Sequence, residues 1–571
     1  MAKMLRLPMG MENFKDIRTN GFYYVDKTAL IEQLFDNFGM VNLFTRPRRF
    51  GKTLTMNMLK YFFEVGTDKS LFDGLYISKN TALCEAHQGR YPVISLTLKG
   101  VEASTFEAAK TKFMDYVGSE ADRLRILKNS PNLSDEDKDK YRALIGLNGG
   151  TYVMSDGALH RSLRTLSELL YKHYGKKVVI LIDEYDVPLD KAYQNGYYRE
   201  MVSLIRDIFG NALKTNEYLE FAVLTGCLRV SKESIFTGLN NFKVRSITDD
   251  RFDEEFGFTD NEVRAMLAYY GLEKHMTETK AWYDGYRFGN ADIYCPWDVI
   301  NYVDALRANE KARPRPYWIN TSGNELLKRL IEKADAATKN DIEKLVAGET
   351  IEKEIHEELT YNEIEDSIEN IWSVLFTTGY LTMEKETEFS RFELRIPNEE
   401  LRVIYRRQVL EWIRKSIRNS GGTEPLNNFW KNFAEGNAEA VERYINAMLT
   451  RSISVLDIRG EDIMRESTYH MVVMTLLATN PEWNTQSNVE AGEGYADIIV
   501  ETDDIDAGSV IELKYSKKPE DMEQACKTAI KQIRDKRYYD YLCNRDRKDV
   551  QLYGIAFCKK RCRVIVEKLI S

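Results

Sequence analysis

Val41-Asn42-Leu43-Phe44-Thr45-Arg46-Pro47-Arg48-Arg49-Phe50-Gly51-Lys52-Thr53 is an apolar run that breaks into a basic turn ending in Gly-Lys-Thr. It reads as a strand delivering a loop to a helix, because Leu54-Thr55-Met56-Asn57-Met58-Leu59-Lys60-Tyr61-Phe62-Phe63 continues with helical apolar spacing. Such a loop suits a triphosphate. Backbone N–H groups can curl around phosphates where Gly51 offers no Cβ, and Lys52 can reach the β- and γ-phosphates. The Thr53 hydroxyl can ligate Mg2+, and the helix N-terminus adds positive potential. Nucleotide binding is the first expectation, with Arg46, Arg48, Arg49, Phe50, Gly51, Lys52, Thr53 and Leu54 lining the site. The Gly-x4-Gly-Lys-[Ser/Thr] pattern would put glycine where this chain has Arg46.

A Gly-Lys-[Ser/Thr] tripeptide arises by chance in about one chain in three of this length, so context decides. It comes from Lys176-Lys177-Val178-Val179-Ile180-Leu181-Ile182-Asp183-Glu184-Tyr185-Asp186. The aliphatic run Val178–Ile182 describes a strand buried on both faces, as in a parallel sheet, and Asp183-Glu184 marks its carboxyl end, where open α/β sheets bind ligands. Asp183 is expected to hold Mg2+, and Glu184 to orient or deprotonate the attacking water. The alternative is a strand ended by a solvated acidic turn. A further strand, Glu220–Gly226, carries Thr225 near its end, either a γ-phosphate sensor or a plain terminus. Arg229 beyond it is a candidate phosphate partner or a surface arginine. Pro92–Leu98 reads as another buried strand.

With 571 residues the chain is too long for one core, and a prior of about 150 residues per domain suggests three or four units. Its 43% hydrophobic and 30% charged residues describe a globular protein. No apolar run reaches the roughly 18 residues needed to span a bilayer, and Met1–Pro8 lacks a signal-peptide core, so a cytoplasmic location is expected. Seven cysteines without paired metal spacing read as reduced thiols. A net charge of −9 excludes coating of nucleic acid by charge alone but leaves room for a local groove.

The expected organisation is a nucleotide-binding domain over 1–250, a helical subdomain over 251–345, a helical or winged-helix-like region over 346–455 and a last domain over 456–571. Residues 28–38 read as an amphipathic helix, and Lys128–Gly150, rich in Asn, Ser, Asp, Lys and Gly, as an exposed loop or insertion. From about 250 the strands are expected to stop, with Thr259 capping a helix. Trp282–Phe288 and Tyr317–Asn324 concentrate aromatics that either pack between domains or stack on bases. Residues 350–420 alternate short strands and helices, including Ser373–Leu381 and Phe392–Asn398.

A second constellation lies near the C-terminus. Gly494-Tyr495-Ala496-Asp497-Ile498-Ile499-Val500 and Ser509-Val510-Ile511-Glu512-Leu513-Lys514 read as a hairpin. Alternation puts Glu512 and Lys514 on one face, which Asp497 can approach from the neighbouring strand. Two carboxylates and a lysine suit metal-assisted phosphodiester hydrolysis: Asp497 and Glu512 bind Mg2+, and Lys514 positions the water or stabilises developing charge. Cross-strand ion pairing is the plainer reading. Gln532, on a following helix with Gln524, Lys527, Lys531, Arg534 and Lys536, could face the site. Glu466 and Glu490 are further carboxylates, and His470 reads as a packed histidine in the apolar helix Tyr469–Ala478.

Taken together, Leu7-Pro8-Met9-Gly10, Tyr23–Thr28, Arg46–Thr53, Asp183-Glu184-Tyr185-Asp186, Ser231–Asn241 and Asn320-Thr321-Ser322-Gly323-Asn324 resemble the bacterial AAA-ATPase-like family. Asp497, Glu512-Leu513-Lys514 and Gln532 resemble the PD-(D/E)XK nuclease domain that such proteins often carry. The resemblance implies tolerance of Arg46 in the phosphate loop. The nuclease pattern has Gly-Arg-x-Asp where this chain has Gly494-Tyr495-Ala496-Asp497. The implied fold class is α/β, with a P-loop NTPase parallel sheet flanked by helices, the helical and winged-helix-like middle, and a C-terminal α/β restriction-endonuclease-like domain. The implied function is an ATPase governing a Mg2+-dependent nuclease, with ATP and Mg2+ as cofactors, DNA or RNA as partner, no membrane, and homo-oligomerisation left open. The alternative is a nucleotide-switched regulator or scaffold that binds nucleic acid or protein without cutting.

Overall fold

The continuous apolar runs become the centre of a sheet. In Val41–Thr45 (β1) every residue is buried, and its one side-chain amide, Asn42, donates from Nδ2 to the Gly39 carbonyl at 2.7 Å. Val93–Thr97 (β2), Val178–Asp183 (β3), Leu219–Gly226 (β4) and Phe242–Arg245 (β5) complete an all-parallel sheet in the order β2-β3-β4-β1-β5. Each fully buried Val, Leu or Ile here contributes about 1.5–3 kcal/mol, so the two-sided apolar run of β3 holds the middle of the sheet. The helix Lys52–Phe63 (α1) lays Met56, Leu59, Phe62 and Phe63 into a core with Phe44, Val179, Leu181, Phe221 and Val223.

The computed structural model describes residues 4–228, 242–318, 327–328, 330–331, 336–361, 363–365, 367–405, 407–408, 423–452, 469–470, 472–474, 476–478, 480, 482–502, 504, 506–559 and 561–569. Arg229, Ser231–Asn241, Asn320–Asn324 and Glu466 lie outside these residues. The chain divides into two compact units, Met1–Thr321 with Glu352–Leu401 and Ser322–Ile351 with Arg402–Ser571. It therefore passes between units at 321/322, 351/352 and 401/402. No helix among the described residues is long and apolar enough to cross a membrane.

Two segments of the first unit differ from their sequence reading. Lys128–Gly150 is not simply a loop. It holds the helix Asp135–Arg142, started by a Ser134/Asp137 capping box, and the strand Leu147–Asn148 pairs with Thr151–Tyr152. Lys172 Nζ reaches Asp137 at 2.8 Å and ties this polar insertion to the helix Asp156–Tyr174. Nor do strands stop at 250. Thr259 caps the helix Asp260–Tyr270 as expected, but Phe258–Thr259, Tyr286–Phe288 and Ala291–Tyr294 form a small antiparallel sheet before the helix Pro296–Ala308 (α2). The aromatics there pack on one another, Tyr283 lying 5.5 Å from Tyr302 and 6.1 Å from Tyr317 between ring centroids. In the stretch read as alternating short strands and helices, Ser373–Thr377 ends the helix Ile368–Thr377, and Arg391–Arg395 pairs with Thr382–Glu388 as a hairpin.

The second unit is built on a mixed sheet of Asn484–Ala491 (β6), Gly494–Glu501 (β7), Ala507–Tyr515 (β8), Asp549–Cys558 (β9) and Arg561–Lys568 (β10), adjacent in chain order. Only β8 and β9 run parallel. The helix between them, Met522–Asp535 (α3), covers one face, and the helices Thr423–Ala434 and Ala438–Ser452 contribute to the core on the other. Gly554, opposite Glu512 in the parallel register, sets how closely α3 approaches: a Cβ there would stand 2.3 Å from the Cys526 carbonyl oxygen. Gly554→Val is expected to push α3 off the sheet and cost about 1–3 kcal/mol or more in denaturant unfolding followed by circular dichroism; an unchanged midpoint would show that the helix is free to move.

Candidate functional site

In the first unit the loop between β1 and α1 lies at the carboxyl end of the parallel sheet. Gly51 sits at φ 82°, a left-handed conformation that glycine adopts without strain, and caps α1 with no side-chain bond to its first N–H groups. Arg49 is also left-handed, at φ 72°, which costs a residue with a Cβ about 1–2 kcal/mol. Lys52 is almost fully buried and donates from Nζ to the carbonyls of Arg46 at 3.0 Å and Pro47 at 2.9 Å.

Strand β4 lies between the two motif-bearing strands, and a hydrogen-bonded bridge spans it. Thr53 Oγ1 donates to Asp183 Oδ2 at 2.7 Å, and Thr225 Oγ1 donates to Asp183 Oδ1 at 2.5 Å. Thr225 Oγ1 also accepts the Glu184 N–H at 3.3 Å, so it holds both acidic residues. Glu184 adopts φ 53°, and no hydrogen bond or ion pair holds its carboxylate among the described residues. Burial first, and then the neighbouring charges of Asp183 and Asp186, push its carboxyl above the usual range, with Lys52 and Lys99 opposing. Asp186 accepts the N–H groups of Cys227 at 2.7 Å and Leu228 at 3.0 Å, fixing the turn after β4.

The other loop residues face elsewhere. The Arg46 side chain turns into the protein, which corrects its expected role as a phosphate-facing group. Its guanidinium is fully buried, donates to the carbonyls of Thr45, Arg245 and Phe252 at 2.9, 2.8 and 3.1 Å, and lies 5.2 Å from the ring centroids of Phe256 and Phe288. Burial lowers its pKa to about 10, still far enough above neutrality to keep it cationic. Phe50 is buried against Tyr286 and Phe288, and Leu54 packs on the sheet core, so these two can offer a ligand only main-chain groups. Arg48 is half exposed, 3.8 Å from Asp190, while Arg49 donates to the Tyr317 carbonyl at 2.9 Å and stacks 4.4 Å from the Trp297 ring centroid. Lys99, just past the end of β2, donates to Glu12 at 2.6 Å and lies near enough to feel the charges of Glu184 and Asp183, a neighbour that its place after a buried strand could have signalled.

In the second unit the residues expected to meet do meet. The β7–β8 pairing runs from Glu501↔Gly508 to Ile498↔Ile511, and beyond it the Asp497 carboxylate takes the Leu513 N–H at 2.8 Å. Glu512, almost fully buried, accepts from Lys514 Nζ at 3.0 Å and Gln532 Nε2 at 2.5 Å, both on Oε1. Its Oε2 is buried with no hydrogen-bond partner. Burial, then the charge of Asp497, pushes the Glu512 carboxyl upward despite Lys514. Behind Asp497, His470 Nε2 donates to its main-chain carbonyl at 2.9 Å, so this histidine buttresses a site residue. Glu490 and Tyr495 are paired across β6 and β7, both exposed.

Both donor sets fit a hard divalent cation. Thr53 and Asp183 present hydroxyl and carboxylate oxygens together, and the orphaned Glu512 Oε2 is a buried acceptor beside Asp497.

Residues 8–236 match the family described as Predicted AAA-ATPase, and residues 464–567 match the PD-(D/E)XK nuclease superfamily. The two halves of the sequence resemblance therefore stand. A curated relative, an uncharacterized protein in the vnfD 5' region of Azotobacter chroococcum mcd 1, is 28% identical over 404 residues, covering 70% of this chain and 68% of that protein. A solved structure, the Walker-type ATPase paby2304 of Pyrococcus abyssi, is matched over 66% of this chain and 94% of that one, at 13% identity and a TM-score of 0.34.

Thr225→Val would keep the shape of β4 but leave the buried Asp183 carboxylate one donor short. The expected loss is about 1–3 kcal/mol in denaturant unfolding; a neutral result would show that water replaces the hydroxyl.

Proposed function

We propose that the chain is an ATP-binding and ATP-hydrolysing protein whose nucleotide state governs a Mg2+-dependent nuclease acting on DNA or RNA. One observation supports each half: the Thr53–Asp183–Thr225 bridge at the sheet's carboxyl end, and the convergence of Asp497, Glu512, Lys514 and Gln532. The matched families fit both halves.

At the first site the uncapped N–H groups of α1 and the loop amides would cradle the phosphates, and Lys52 would exchange its carbonyl partners for phosphate oxygens. Arg48 is the loop's exposed cation, and Arg229 is a further candidate partner for phosphate. Thr53 and Asp183 would hold Mg2+. Glu184, with its carboxylate unpartnered and its proton affinity raised, is placed to accept a proton from water, while Thr225 would report the γ-phosphate to Asp183.

At the second site Asp497 and Glu512 would hold Mg2+, which supplies charge neutralisation and acidifies water when bound. Lys514 would donate to the developing phosphorane oxygen, and Gln532 would keep Glu512 Oε1 oriented so that Oε2 faces the cation. The seven free thiols suit a reducing cytoplasm.

Lys52→Ala is expected to abolish ATP binding in titration calorimetry, and unchanged affinity would refute the loop assignment. Asp497→Ala and Lys514→Ala are each expected to eliminate Mg2+-dependent cleavage of a nucleic-acid panel by the full chain. Nucleic-acid binding without cleavage by the wild type would instead assign the scaffold role.

A further inference from the structure

Asp298 and Glu400 form a second buried acidic pair that no motif above uses. Asp298 is the third residue of α2, and Glu400 lies in the first turn of the helix that starts at residue 399. Neither has exposed surface. Glu400 Oε1 accepts the Trp318 N–H at 2.7 Å, whereas Glu400 Oε2 and both Asp298 oxygens are buried without a protein donor. The two carboxyl groups are near enough that each shifts the proton affinity of the other. Two carboxylates are both acceptors, so this proximity is favourable only with a proton between them, and two bare charges in that position would repel.

Among the described residues, the groups facing the pair leave one source of compensation. Arg49, the left-handed residue of the phosphate loop, is the cation that feels both acids. The Cys295 thiol adjoins Asp298, and the Tyr283, Tyr286 and Tyr317 phenols are all kept neutral by burial. Arg49 is anchored to the same short segment as Glu400: its guanidinium donates to the Tyr317 carbonyl, and the next N–H, that of Trp318, donates to Glu400. It also stacks on Trp297, the neighbour of Asp298.

We propose that Asp298 and Glu400 share a single proton and act as one negative charge that positions Arg49, making the pair a positioning element for the nucleotide-binding loop. With no proton the pair carries two charges against one guanidinium and parts; with two it leaves Arg49 without a counter-ion. The first turns of two helices favour the remaining negative charge. Burial raises the proton affinity of both acids. For a group whose folded-state pKa is raised, the stability it confers is full below the ordinary carboxylate range and is lost as pH rises through the folded value.

The nucleotide part rests on the ATP-binding reading; the proton sharing does not. The test uses the full chain, with thermal melting between about pH 5 and pH 9 and ATP titration at neutral pH. In Glu400→Gln the amide nitrogen can donate to Asp298 while the amide oxygen keeps the Trp318 N–H. This variant is expected to melt like wild type at low pH, to lose less stability as pH rises, and to keep ATP affinity within about twofold. The double variant Asp298→Asn/Glu400→Gln, which keeps the shape but removes the charge, is expected to weaken ATP binding about tenfold. If Glu400→Gln matched a collapsed Glu400→Ala at every pH, or if the double variant bound ATP like wild type, the proposal would be overturned. A wild type that failed to bind ATP would refute the nucleotide reading, and the melting curves would still decide whether the proton is shared.

Discussion

Strand β4 stands between the strand that delivers the loop and the strand that ends in Asp183, and this spacing governs the first site. At about 4.8 Å per strand, β1 and β3 are held roughly 10 Å apart, too far for their main chains to meet. Side chains must cross the gap, and Thr53 and Thr225 do so by converging on opposite oxygens of one carboxylate. The positive φ of Glu184, the Asp186 grip on the turn after β4 and the apolar run of β3 all serve to keep that carboxylate in place.

The molecule meets the cost of buried charge in three different ways. Arg46 uses carbonyl oxygens and aromatic faces, without a carboxylate partner in hydrogen-bond reach, and remains cationic. Glu512 uses a lysine and an amide on one oxygen and leaves the other unpartnered. Asp298 and Glu400 face each other. The first arrangement is structural and leaves only the Arg46 Nε unpartnered; the second keeps an unused acceptor at a site that needs one.

Much of this was legible in the chain. Runs such as Val178–Ile182 and Val41–Phe44 announce buried strands because both faces demand apolar residues, and the spacing of Asp497, Glu512 and Lys514 follows from alternation in a hairpin. The helix at Asp135–Arg142 was hidden because its capping box lies in a polar segment whose composition suggests a loop. The fate of Arg46 was hidden because its acceptors come from Arg245 and Phe252, which only the closed sheet brings near. Asp298 and Glu400 are distant in sequence and become a pair only when two helix starts are folded together. Pattern reading sees local periodicity; it does not see which distant groups share a burial site.

The three passages of the chain between its compact units carry an evolutionary consequence. A single break at 321/322 strips residues 352–401 from the first unit, a break at 401/402 strips 322–351 from the second, and a break at 351/352 leaves both incomplete. Recombination at one point therefore cannot separate the two units cleanly, because wherever it falls at least one of them is left incomplete. The two units are expected to descend as a linked pair, acquiring their substitutions in step, even where each alone resembles a widely distributed module.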